Sequence, residues 1–248
     1  DDGLVVFVML AFAIARGSDV VSGELGRGTM EMLLSQPVSR LQVLTSQAVV
    51  TVVGIALLAL ASWVGTWLGI QTTQARLERQ PTLVKLPFGG NVPNPFAKVE
   101  IVKVPMRTQV EPQTLTPAAV NLFCLGLCFA GGASFLSACD RFRWRTLGIS
   151  IALFVLQAIA KVVGVLKKDT VFEWLKYCAA LTAYEPSRLV EIAVEQPEYA
   201  WALTLPGAAE GSWVCGPLGY DLILVVLGMT GYIAAAVIFA RRDLPAPL

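Results

Sequence analysis

Ala48-Val-Val-Thr-Val-Val-Gly-Ile-Ala-Leu-Leu-Ala-Leu-Ala-Ser-Trp-Val-Gly-Thr-Trp-Leu-Gly-Ile70 carries no charged side chain from end to end. A helix needs about 20 such residues to cross a bilayer. Three more long apolar runs follow, at Ala118–Ala138, Leu147–Leu166 and Gly219–Ala240. Charged residues make up 15% of the 248, against about 25% in soluble domains. The pattern predicts an all-α fold: a polytopic helical membrane protein.

A fifth run, Gly3–Ala15, opens the chain and is too short to cross: its helix would span about 20 Å of a core about 30 Å thick. It has no cationic start and no A-x-A site follows it, so it is not read as a signal peptide. The expectation is a truncated transmembrane helix, with six crossings in the full chain, the first missing and the second truncated here. The single domain 1–248 then divides into membrane helices 48–70, 118–138, 147–166 and 219–240, a truncated helix 1–15, a segment 16–47, and loops 72–117 and 167–218.

Composition excludes several functions. There is no histidine, which removes His-dependent triads, His-ligated metals and HExxH proteases from this chain. The five cysteines form no C-x-x-C pair. A net charge of +1 points to no nucleic-acid partner. No phosphate-loop motif occurs. No Asp, Glu, Lys or Arg sits centrally in the runs 48–70, 118–138 or 219–240. Lys161, near the end of 147–166, is read as snorkelling to the interface. Any uphill transport would therefore draw its energy from outside the chain.

Orientation follows from basic residues near helix ends. Arg16, Arg27, Arg40, Arg141, Arg143, Arg145, Arg241 and Arg242 fall in short segments on one side. That side is expected in the cytoplasm, and the two long loops outside.

The first short segment reads Gly23-Glu24-Leu-Gly-Arg-Gly28-Thr29-Met-Glu31-Met-Leu33-Leu34-Ser-Gln-Pro37-Val-Ser39-Arg40. Thr29 is a plausible N-cap, Glu31 suits the first turn, and Pro37 stops the helix. Taken alone, this short surface helix reads equally as a connector. The string closely resembles the permease subunits of ABC-2-type exporters at Glu24, Gly28, Thr29, Leu33, Leu34, Pro37, Ser39 and Arg40. It departs from them at Leu25-Gly26, at Ser46-Gln47 and in the length of the loop 72–117.

The resemblance implies that Glu24, Gly28, Thr29, Glu31, Leu33, Leu34, Pro37 and Arg40 couple to a separate ATP-binding cassette subunit. It implies a second permease copy or homologous permease beside this one, in the bilayer of a bacterial inner membrane. It implies no catalytic residue, metal or cofactor in this chain, with ATP and Mg2+ on the partner subunit. Two rivals stay open: a non-transporting anchor or signalling subunit, and a multi-pass membrane enzyme.

The outer loops give further expectations. Lys98–Val104 alternates with period two and reads as one exposed strand of a β-lid, a partner-binding arm or a linker. Thr170–Ala183 and Pro186–Glu195 read as two short amphipathic helices. Phe172, Trp174, Leu175, Tyr177 and Leu181 are placed at the headgroups, and Leu189, Ile192 and Val194 on the apolar face of the second helix. Arg188, Glu191 and Glu195 are read as exposed. Cys178 and Cys215 share the second outer loop and are candidates for a disulfide.

Overall fold

The computed structural model describes residues 2–28, 39–79, 83–85, 91–93, 100–166, 174, 177, 179–206 and 213–241. Among these, α1 is Asp2–Asp19, α2 Ser22–Arg27, α3 Arg40–Thr72, α4 Thr116–Cys139, α5 Arg143–Leu166, α6 Pro186–Glu195 and α7 Pro217–Arg241. Four helices are long and apolar enough to cross a membrane, and they contain the four runs read from the sequence. Two boundaries differ. α3 starts at Arg40, eight residues before its apolar run, because Ser39 and Gln42 form a capping box. Its 33 residues span about 50 Å, so its first turns reach beyond a hydrocarbon core of about 30 Å. α1 likewise continues through Arg16 to Asp19, at the membrane edge.

α4 is the central helix, and most of its length is buried. α1 and α7 run beside it in the same direction: Asn121 meets Asp221 near one end, and Gly131 meets Gly228 further along. α3 runs the opposite way, with Ile55 packed into the main core beside Met9, Leu125 and Leu224. Lipid and core are equally apolar, so small residues and hydrogen bonds decide which helices touch. Gly228 shows how: a Cβ there would lie 2.7 Å from the Leu127 carbonyl oxygen. The Gly228-Met-Thr-Gly231 stretch is therefore a packing face. Outward, Val53, Leu57, Leu156, Ile159, Val226 and Ile233 are exposed, as side chains facing lipid would be.

One end of the bundle gathers the start of α3, the ends of α1, α4 and α7, and the start of α5, around Val21, Leu44, Ala138 and Phe239. Arg16, Arg27, Arg40, Arg141, Arg143, Arg145 and Arg241 of the group read from the sequence lie there; Arg242 lies outside the described residues. The Cys139–Thr146 turn is built on Asp140, whose carboxylate accepts the backbone N–H groups of Arg141 and Phe142 and pairs with Arg145.

The other end holds short strands, β1 to β6 in chain order: Gln74–Arg79, Leu83–Lys85, Asn91–Pro93, Glu100–Pro105, Thr204–Pro206 and Trp213–Cys215. β1 pairs antiparallel with β4, from Gln74 opposite Pro105 to Arg79 opposite Glu100. The alternation read at 98–104 is thus a strand, and it is paired rather than solitary; Lys98 and Val99 lie outside the described residues. α6 has the expected bounds, but its buried residues are Leu189 and Ala193. Val194 is exposed instead, and Arg188 is half-buried because it lies over the Tyr220 ring. Of 170–183, the described part ends in a 3-10 turn, Ala180–Ala183. Trp174 and Tyr177 are exposed as expected, whereas Leu181 is buried in the core; Phe172 and Leu175 lie outside the described residues.

Candidate coupling site and outer clamp

At the arginine-rich end the chain bends between α1 and α2. Such a break leaves backbone N–H groups without helical partners. Ser137 of α4 supplies one: its Oγ accepts from Val21 N at 3.0 Å and Ser22 N at 2.9 Å. Ser22 Oγ in turn lies 3.1 Å from Thr146 Oγ1 of α5. Ser18, Ser22, Ser137 and Thr146 are all fully buried, so this network ties the elbow to two membrane helices.

Charge adds a second tie. Asp19 Oδ1 accepts from Arg27 Nη1 and Arg143 Nε, both at 3.1 Å, and Arg27 Nη2 reaches Glu24 at 2.9 Å. Hydrogen bonds to Asp19 first, and Glu24 next, hold the Arg27 guanidinium pKa above its ordinary value. Arg16 also donates to Gln47 Oε1 of α3 over 3.1 Å, a further tie between α1 and α3.

Of the predicted site residues, Glu24, Gly28 and Arg40 are described. Glu24 lies in α2. Gly28 closes α2 with φ +73°, a left-handed conformation that favours glycine. Arg40 begins α3. Thr29, Glu31, Leu33, Leu34 and Pro37 lie outside the described residues. Sequence reasoning missed Asp19 and Ser137, which do the anchoring. The only signal for Asp19 was its place one turn after Arg16.

At the opposite end, four hydrogen bonds hold the turn 180–184. Gln157 Oε1 accepts from Ala180 N at 3.1 Å. Lys161 Nζ donates to the Leu181 and Tyr184 carbonyls, each at 2.8 Å. Asn121 Nδ2 donates to Ala183 O at 3.1 Å and to Asp221 Oδ1 at 2.7 Å. Lys161 therefore does not simply snorkel into solvent; its ammonium finds backbone carbonyls first. Asn121 and Asp221, both buried, went unnoticed in the sequence because each sits near the edge of an apolar run. Beyond them Arg188 stacks over Tyr220 at 5.9 Å and pairs with Glu185. Cys215, close by, is half-buried and a free thiol in this structure, and Cys178 lies outside the described residues.

Four helices long and apolar enough to cross a membrane, with an elbow locked onto two of the bundle's helices at one end, define a multi-pass membrane protein. The chain belongs to the ABC-2 family transporter proteins, whose family model matches residues 3–244. It is thus a permease component of an ABC transporter and is not itself the catalytic subunit; its family implies association with an ATP-binding cassette subunit in the membrane. No curated protein and no solved structure matches the chain.

Proposed function

We propose that this chain is the permease of an exporter in a bacterial inner membrane, with the arginine-rich end in the cytoplasm. ATP and Mg2+ bind a separate subunit, and a second permease stands beside this one. The ATP-binding subunit docks on Glu24, Gly28, Thr29, Glu31, Leu33, Leu34, Pro37 and Arg40. Closure of two such subunits around ATP pushes this segment, and differential binding of the two states turns the push into helix movement.

What supports the reading is the anchoring of the segment at both ends. Ser137 and Asp19 tie its start to α4 and α5, and the Ser39 cap makes its end the first turn of α3. A push there is delivered to membrane helices rather than lost in a slack loop. On the far side, the clamped turn 180–184 serves as the outer gate, with a Cys178–Cys215 bridge limiting how far it opens.

Co-expression with the adjacent ATP-binding subunit tests this. Leu33→Asp is expected to abolish co-purification while membrane insertion persists. Glu24→Arg is expected to retain the complex and remove the change in ATP hydrolysis that the permease causes. Unchanged docking and unchanged hydrolysis in these variants would refute the reading.

A further inference from the structure

α5 carries a stripe of polar residues along one side. Arg143, Thr146, Ser150, Gln157 and Lys161 recur at helical spacing and share one side of it. Thr146 and Ser150 are buried, and Gln157 and Lys161 half-buried. On the opposite face Ile151, Val155, Leu156, Ile159 and Val162 are exposed. Polar residues within membrane helices face the bundle interior or a wet cavity, and they mark substrate paths.

This stripe borders a cleft of about 360 Å³ between α4 and α5, with Leu227 of α7 behind and Ala180 of the clamped turn at its rim. That volume is in the range of small-molecule sites, about 300–1,000 Å³. Cys128, Phe129, Ser150, Leu153 and Gln157 line it. Phe154 interrupts the polar stripe and meets Phe129 edge to face, with centroids 5.8 Å apart, which makes an apolar wall.

The polar groups above that wall are donors. Gln157 spends Oε1 on Ala180 N, and its amide nitrogen has no protein partner among the described residues. One turn further, Lys161 is held by two neutral carbonyls and forms no salt bridge among the described residues. Glu185, which acts on it electrostatically, is engaged by Arg188. Among the described residues no carboxylate lines the cleft.

We propose that this cleft, inside a single subunit, binds an amphiphile with an anionic head group. Its apolar body lies against Phe129 and Leu153, and its head group reaches the Gln157 amide and Lys161. The inference rests on the permease reading and places a ligand within one chain rather than between two. A head group taking Lys161 from the Leu181 and Tyr184 carbonyls also loosens the clamped turn, so ligand and outer gate are linked.

Cys128 reports occupancy. The full chain is reconstituted in nanodiscs with Cys124→Ala, Cys139→Ser, Cys178→Ser and Cys215→Ser, and labelling of Cys128 by N-ethylmaleimide is timed. The probes are decyl phosphate, decyltrimethylammonium and decyl maltoside. At about four times its Kd, decyl phosphate is expected to slow labelling about fivefold. The other two at equal concentration are expected to slow it less, Lys161→Gln to erase the difference, and Lys161→Arg to keep it. Equal protection by all three probes would mark a crevice for any lipid chain and overturn the proposal. So would a Cys128 that never labels, or one that decyl phosphate leaves unprotected. No ATP-binding subunit is needed, so failure here leaves the permease reading standing, and failure of docking leaves this measurement valid.

Discussion

Arg143, the first residue of α5, donates through Nε to Asp19 Oδ1 at the end of α1 over 3.1 Å, onto the same oxygen that Arg27 of α2 reaches. One carboxylate thereby joins a membrane helix, the elbow after it and a second membrane helix. Both arginines are about half exposed, so the pairs fix geometry more than they add stability.

Asp19→Asn is accordingly expected to lower stability by only about 1 kcal/mol. Its larger effect falls on the elbow, where a spin label in α2 should gain mobility relative to one in α4. Ser137→Ala removes the acceptor for two buried N–H groups and is expected to cost more, about 1–3 kcal/mol. Unfolding midpoints of the two variants in the same detergent check the order.

The glycine contacts divide sharply. Gly228→Ala would put a Cβ 2.7 Å from the Leu127 carbonyl, and helix backbone cannot yield cheaply. A loss of about 1–3 kcal/mol is expected. Gly148 of α5 has open space at its Cβ, so Gly148→Ala should be neutral or slightly stabilising. Equal thermal midpoints for the two would contradict the α4–α7 packing.

Asn121→Leu leaves the buried Asp221 carboxylate without its amide donor and frees Ala183 O from the clamp. A loss of about 1–3 kcal/mol is expected. Asn121→Leu combined with Asp221→Leu should recover part of it, since no unpaired carboxyl group remains. A double-mutant cycle on unfolding free energy measures the coupling.

Orientation is checked by labelling intact cells with an impermeant maleimide. A cysteine in place of the exposed Arg141 should stay unlabelled, and one in place of Thr108, after β4, should label readily. The opposite result would reverse the proposed topology.

The Cys215 thiol is pushed above its ordinary pKa by burial, against the opposing charge of Arg188. With less thiolate at a given pH, reduced Cys215 should alkylate more slowly than exposed Cys139 at pH 8, and its rate should keep rising at higher pH. In protein isolated without reductant, the proposed bridge predicts a Cys178–Cys215 cross-linked peptide on mass spectrometry. A loop of about 37 residues would gain roughly 3–4 kcal/mol from that closure.

Ala48–Ile70 and its three counterparts, the arginines at their ends, α6 and the strand ending at Pro105 were all legible in the sequence. Each follows from a local rule: enough apolar residues to span lipid, charge kept out of it, or a period of 3.6 or 2. Which helix stands at the centre was not legible. α4 and α7 are apolar all round, and where the solvent is itself apolar, hydropathy does not separate core from surface. The close backbone approach at Gly131 and Gly228 decided it. The same reason hid Ser137, Asn121 and Gln157: a polar side chain in an apolar run names no partner until another helix is laid against it. The elbow, the clamp and the polar cleft along α5 arise where distant stretches meet, so only the tertiary structure could supply them.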